Sequence, residues 1–98
     1  MSKLPIIIKG DDIMETRVAI IGIIVENPNS VEELNSILHS YGNYIISRMG
    51  FPYRQKNINI ISIAIDAPVD IINALTGKIG KLDGISTKTA FSNTAFLF

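Results

Sequence analysis

Cysteine is absent from the 98 residues of this sequence, and histidine occurs once. Without cysteine the chain can form neither disulfides nor thiolates, although this leaves the redox compartment open. The single histidine, His39, lies away from the apolar stripe of its predicted helix, which is typical of an ordinary surface residue. One imidazole is too small a ligand set for nickel, copper or zinc, so we expect no metal and no cofactor.

An excess of charge of one sign is also lacking. Lys plus Arg and Asp plus Glu number nine each, so the net charge is zero, and no cluster resembles that of an autonomous nucleic-acid binder or a polybasic membrane segment. The first apolar run, residues 4–8, ends at Lys9, well short of a signal-peptide core or a membrane span. We therefore expect a cytoplasmic protein with no membrane partner and no direct nucleic-acid binding by this chain alone.

Apolar side chains are abundant, since hydrophobic residues make up 47% of the sequence and charged residues only 18%. A chain of this length has room for one domain. A small domain with so much apolar surface usually covers part of it by self-association, so the composition predicts a dimer or a tetramer.

The hydrophobic periodicity predicts six main elements between an N-terminal arm (residues 1–15) and an apolar tail (residues 92–98). In chain order they are a strand over 16–26, a helix over 30–42, a hairpin with arms 44–49 and 58–66, a helix over 66–82 and a strand over 85–91. Ser30 and Glu33 have the spacing of a capping box, and Gly42 is a candidate C-terminal cap. Gly22 predicts a bulge or a close backbone approach, and Gly77 predicts tight packing on the sheet.

The order β-α-β-β-α-β is that of an α+β ferredoxin-like sandwich, a four-stranded antiparallel sheet with two helices on one face. In this topology the first and third strands are central. One face would have no helix over it, and the alternation of residues 58–66 places one set of side chains there. We expect a second copy to bury this face, through an interface that comprises Ile60, Ser62, Ala64, Phe96 and Phe98.

Two places could hold a small ligand. The first is the loop before the first helix, where free backbone donors favour an anionic or amino-acid-like molecule; its candidate residues are Glu26, Asn27, Asn29 and Ser30. The same residues are also common in the turns and caps that precede helices, so they could have a structural role instead. The second place surrounds the hairpin turn, where the aromatic side chains of Phe51 and Tyr53 and the cations Arg48, Arg54 and Lys56 suit either a bound acid or an interface. A solvated turn is an equally good explanation.

No pattern indicates catalysis. The sequence has no nucleophile elbow and no Ser/His/Asp grouping, and the Gly77–Lys81 segment lacks the length and the Ser/Thr of a phosphate-binding loop. The acidic residues Asp11, Asp12 and Glu15 fit a solvated arm better than a cation site. We therefore expect a protein that is not an enzyme.

Three segments together resemble a known family: ISRMGFPYR at residues 46–54, NINIISIAI at 57–65 and INALTGKIGKLDGI at 72–85. They are similar to the iron-only hydrogenase system regulators, small ACT-like proteins related in fold to the C-terminal domain of nickel-responsive repressors. The resemblance covers about residues 16–91. It implies a homo-oligomeric ACT-like domain that binds a small effector, without catalysis, and that is linked to hydrogenase or related transcriptional control.

The chain departs from the nickel repressors in two respects. One histidine and no cysteine cannot supply their nickel site, and about 15 residues before the first strand are too few for a ribbon-helix-helix DNA-binding domain. The alternative to an effector sensor is a protein-interaction module that docks to another regulator through its sheet or its tail.

Overall fold

The structure, a computed structural model, describes residues 8–9, 12–13 and 15–97, with side chains over 15–95. Its main elements are strands β1 (Glu15–Val25), β2 (Ile45–Tyr53), β3 (Ile58–Ala67) and β4 (Ile85–Leu97), and helices α1 (Val31–Ser40) and α2 (Val69–Gly80). Before β1, the two-residue segments Ile8–Lys9 and Asp12–Ile13 pair antiparallel. Neither described helix has the length and apolar composition that crossing a bilayer requires.

The four long strands form one antiparallel sheet in the order β2-β3-β1-β4. This arrangement, with α1 and α2 connecting the strands, confirms the predicted ferredoxin-like fold and its two central strands. Isoleucine and valine dominate β1 and β3 because β-branched side chains fit the pleated, buried middle of a sheet.

The hydrophobic core lies between the helices and one face of the sheet. Alternate residues of the two central strands are buried, as in Ile21, Ile23, Ile63 and Ile65, because successive strand side chains point to opposite faces. The helices contribute the fully buried side chains Leu34, Ile72, Leu75 and Ile79. Burial of each such side chain stabilises the fold by about 1.5–3 kcal/mol before entropy is counted.

Strand β2 is covered much less than the central strands. After Ile45 all of its residues are exposed, including those whose register places them on the helix side of the sheet. An edge strand of this kind tolerates proline, because the missing N–H can face solvent. For this reason β2 continues through Pro52 to Tyr53, and the turn is shorter than the predicted segment 50–57: it comprises residues 54–57 and closes with Asn57 at φ 58°.

The predicted capping box at the start of α1 is wrong. Ser30 occupies the N-cap, but its side chain makes no cap hydrogen bond; its hydroxyl donates instead to the backbone carbonyl of Asp83, at 2.7 Å. At the other end, Gly42 follows the C-cap residue Tyr41 without the left-handed backbone of a glycine cap. A 3-10 turn, Gly42–Tyr44, leads into β2.

Two other glycine predictions are also wrong. Gly22 lies in a regular stretch of the ladder, and a Cβ there would have only the carbonyl oxygen of Lys88 nearby, at 3.9 Å. The irregularity of β1 lies between Arg17 and Ala19, opposite residues 92–94 of β4. Gly77 is exposed, and a Cβ added there would meet nothing within 4 Å, so it does not serve close packing.

The last strand is longer than predicted. Beyond Phe91 the pairing with β1 resumes after the irregular residues, so β4 extends to Leu97 rather than ending at residue 91. The division into an arm, a domain and a tail stays a prediction.

Candidate functional site

The sheet face opposite the helices is open, and its registers arrange the side chains in cross-strand rows. The central row is Met49, Ser62, Gly22 and Lys88, in the strand order β2-β3-β1-β4. The next row is Phe51, Ile60, Ile24 and Ser86, and the row on the other side is Ser47, Ala64, Ile20 and Ala90. Lys88 is the single charged residue in these three rows.

Most of the exposed large apolar side chains in the described part of the chain lie on this open face. Ile20 and Ile24 expose 45% and 41% of their surface, Met49 exposes 68% and Phe51 58%. Tyr53, at the end of β2, is also on this side. Contiguous apolar surface of this extent on a small protein marks an interaction site more often than ordinary surface.

The structure places three of the predicted interface residues on the open face: Ile60, Ser62 and Ala64 are all half-buried there. Phe96 pairs with Thr16 at the end of β4, but its side chain is outside the described set, and Phe98 lies outside the described residues. The sequence prediction missed Ile20, Ile24 and Met49. The near-continuous apolar run of β1 hid the alternation that would have assigned the first two.

The loop before α1, the first predicted ligand site, is held by hydrogen bonds within the chain. The Asn27 amide donates from Nδ2 to Asp83 Oδ2 at 2.7 Å, and its Oδ1 accepts from the Asn29 backbone N–H at 3.0 Å. The Ser30 hydroxyl is committed to Asp83, and the Glu26 backbone N–H donates to the Gly84 carbonyl at 2.7 Å. The side chains of Glu26 and Asn29 are exposed and take no part in these hydrogen bonds.

The turn at Asp83 and Gly84, which sequence reasoning did not connect with this loop, therefore acts as its clasp. Gly84 has φ +70°, and a Cβ at this position would lie 2.5 Å from the Asn27 Cβ. Only glycine fits such a left-handed position in close contact with another backbone. The chemistry that suggested a ligand site is largely used to join the β1–α1 loop to the α2–β4 turn.

The side chains of the second predicted site, around the hairpin, are exposed to solvent. Arg48 is exposed and donates from Nη2 to Asn35 Oδ1 of α1 at 2.6 Å; no carboxylate pairs with it among the described residues. Tyr53 and Arg54 line a cavity of about 300 Å³ at the far end of β2, together with Pro28 and Asn57. The exposed Arg54 side chain has no hydrogen-bond partner within the described part of the chain.

Two further cavities continue along the same side of β2. One of about 350 Å³ lies between Val31 of α1 and the strand residues Arg48, Gly50 and Pro52. The other, of about 610 Å³, is lined by Glu32, Asn35 and His39 of α1 and again by Arg48. The first two hollows share Pro52 and Asn59 and the last two share Arg48, so the three adjoin in sequence along β2. We call them together the α1–β2 groove. Arg48 lies at its middle.

No group of three or more metal-ligating side chains occurs in the described part of the chain. His39 is exposed on α1, as predicted. The features that distinguish the α1–β2 groove and the open face are the exposed guanidinium of Arg48 in the groove and the exposed apolar side chains of the open face.

Comparison with solved structures confirms the fold. The uncharacterized protein TM1266 from Thermotoga maritima superposes with a TM-score of 0.75 at 32% identity, over 78% of this chain and 96% of that one. A formyltetrahydrofolate deformylase from Pseudomonas putida KT2440 matches with a TM-score of 0.58 at 13% identity. That match covers 79% of this chain but 29% of the deformylase, and it shows a shared fold alone.

Comparison with protein families agrees with these structural matches. No curated protein matches the sequence significantly. The model of the TM1266-like family, described provisionally as iron-only hydrogenase system regulators, matches residues 17–89, about three-quarters of the chain. This range includes the three segments that carried the resemblance. The chain therefore belongs to the TM1266-like family of iron-only hydrogenase system regulators.

Proposed function

We propose that this protein is a regulatory domain that acts as a homo-oligomer and binds a small effector. Family membership supports the regulatory role, and the observation that carries the oligomer is the open sheet face. Its side chains include Ile20, Ile24, Met49 and Phe51, all at least 41% exposed. A partner that covers this face would stabilise the complex by about 25 cal/mol for each Å² of apolar surface that it buries.

A second copy is the occupant that best fits this face. Four strands spaced by about 4.8 Å, with about seven residues each at about 3.3 Å, span roughly 19 by 23 Å. This projection is about 440 Å², roughly half of the about 800 Å² per partner of a standard interface, and side-chain relief makes the accessible area larger than the projection. The three central rows have one charge, Lys88, at their edge, which is typical of a self-complementary apolar interface.

The effector is proposed to bind in the α1–β2 groove. Arg48 lies between two of its hollows and has no carboxylate partner among the described residues, while Asn35 fixes one of its nitrogens. A guanidinium with donors to spare recognises a carboxylate or phosphate by paired hydrogen bonds. The hollows, of about 350 and 610 Å³, suit a small carboxylate such as an amino acid.

A thermal-shift panel tests the effector. Amino acids and other small carboxylates, nucleotides and divalent metals are screened against the native protein, because a ligand of the folded state raises its midpoint by mass action. The carboxylate class should stabilise the protein, and Arg48→Gln should remove that shift. Lys81→Gln is the control, since Lys81 is an exposed cation outside the groove. A shift that survives in Arg48→Gln would contradict the groove site.

We assign no catalytic step to the chain, because its family is described as regulators and its likeness to the deformylase extends to the fold alone. A regulator of this kind is expected to act in the cytoplasm. The second candidate function, docking to another regulator, is favoured by the same exposed apolar face. It would replace the first if the chain were monomeric and no ligand class stabilised it.

A further inference from the structure

The open face carries small residues at the middle of one cross-strand row and large side chains in the row beside it. In the central row, the middle positions are the small residues Ser62 and Gly22. Together with one neighbouring row, that of Ile24, Ile60 and Ser86, they line a hollow of about 510 Å³ that extends to Lys88. We call this hollow, floored by Gly22 and Ser62, the trough.

The row beside the trough stands higher. Ile60 and Ile24 occupy the two central strands there, and Phe51 continues the row on β2 with 58% of its surface exposed. We call this row, Phe51, Ile60 and Ile24, the ridge. Ridge and trough are two residues apart along each strand, about 6.6 Å. A row of three large side chains therefore runs parallel to the recessed pair Gly22 and Ser62.

We propose that the ridge of one copy fills the trough of a second copy, and that the second copy's ridge fills the trough of the first. A two-fold axis that crosses the strands midway between the two rows exchanges them. Such an interface is isologous, because both copies contribute the same two rows and every ridge-to-trough contact occurs twice. Face-to-face sheets pack about 10 Å apart, close enough for isoleucine side chains to interdigitate with a recessed row.

This inference rests on the proposed homo-oligomer and adds its geometry. The same operation leaves the charged group in water: Lys88 ends the trough row on the edge strand β4, and the residue at that end of the ridge row is Ser86. The ammonium group therefore lies at the rim, opposite a small polar side chain, and needs no buried counter-charge. At the opposite edge, Met49 and Phe51 extend the apolar contact.

Gly22 provides a test that separates folding from association. A Cβ at Gly22 would have one neighbour, the Lys88 carbonyl oxygen at 3.9 Å, which is ordinary contact, and its φ is not positive. Gly22→Val therefore fits within a single chain, and valine favours a strand more than glycine does. In the proposed dimer the valine side chain occupies the space of the partner's Ile24.

The measurement is sedimentation equilibrium of the full chain, with urea unfolding of each variant as the check on folding. We expect Gly22→Val to raise the dimer dissociation constant by roughly tenfold or more. Gly77→Ala, at an exposed glycine of α2 with nothing within 4 Å, should leave it unchanged. Ser62→Leu fills the trough from the neighbouring strand and should reproduce the effect if Gly22→Val fails to fold.

The outcomes separate the two claims. A native protein that associates, with trough-filling variants that dissociate while folded, supports both the homo-oligomer and the ridge-and-trough geometry. If folded Gly22→Val and Ser62→Leu variants associate as tightly as the native protein, the geometry is overturned and the homo-oligomer stands. A native protein that stays monomeric at high micromolar concentration overturns both.

Discussion

Gly84→Ala tests the clasp between the β1–α1 loop and the α2–β4 turn. The left-handed conformation, φ +70°, costs a residue with a Cβ about 1–2 kcal/mol. The new Cβ would also lie 2.5 Å from the Asn27 Cβ and 2.9 Å from the Asn27 nitrogen, so the two segments must separate. Their separation removes the hydrogen bond from Glu26 to Gly84 and the one from Asn27 to Asp83, both 2.7 Å long.

Each of those hydrogen bonds contributes about 1 kcal/mol net. We therefore expect Gly84→Ala to lower the free energy of unfolding by about 3–4 kcal/mol, a large share of the 5–15 kcal/mol of a typical domain. In a thermal melt this corresponds to a drop of roughly 12 °C or more. Urea unfolding followed by circular dichroism at a fixed protein concentration gives the free energy directly.

Gly77→Ala is the matched control for this prediction. The same chemical change occurs at an exposed helical glycine where a Cβ has no neighbour within 4 Å. Alanine in a helix is favoured over glycine by about 0.5–1 kcal/mol, so this variant should be more stable than the parent. If Gly84→Ala unfolds within about 1 kcal/mol of the parent, the clasp does not hold the loop as described.

Two further substitutions test local features of the fold by urea unfolding. Ser30→Ala should lower the free energy of unfolding by about 1–2 kcal/mol, because the Ser30 hydroxyl donates to the Asp83 carbonyl at 2.7 Å. Glu33→Ala should leave the free energy of unfolding almost unchanged, and equal losses in the two variants would support a capping box instead. Gly50→Ala should lower the free energy of unfolding by about 1 kcal/mol, because the new Cβ would lie 3.3 Å from Ile61 Cγ1. An unchanged urea midpoint would show that the edge strand β2 shifts to accommodate the methyl group at no cost in stability.

The fold could be predicted from the sequence because its main signals are local. The alternation in residues 58–66 identified a half-covered strand, and the apolar stripes of both helices identified the sides that pack on it. Ile61, Ile63 and Ile65 are indeed buried, and the set with Ile60, Ser62 and Ala64 is on the open face. Strand order followed from the chain order of the elements.

The failed predictions depend on residues that are distant in sequence. Ser30 and Glu33 have the spacing of a capping box, but Asp83, 53 residues away, provides the acceptor that the serine uses. The role of Gly22 depends on its neighbours in the open face, which only the strand registers reveal. For the same reason, Asn35 gave no signal of its contact with Arg48.

The proposed ligand loop shows why a set of suitable residue types does not make a site. Asn27 and Ser30 are types that bind small anions at helix N-termini, yet here their polar atoms are occupied by Asp83 and Asn29. At the second predicted site, around the hairpin, Arg48 lines a cavity. What distinguishes the two places is the hydrogen-bond inventory, which the sequence does not contain.

The central claim is that the open sheet face is covered by another copy, and thiol protection tests it most directly. The cysteine-free sequence allows a single thiol to be placed at Ser62, in the trough, or at the exposed Ser36 of α1 as the control. We predict that the rate of thiol modification in Ser62→Cys falls as protein concentration rises, while the rate in Ser36→Cys stays constant. Equal behaviour of the two thiols at every concentration would contradict the claim.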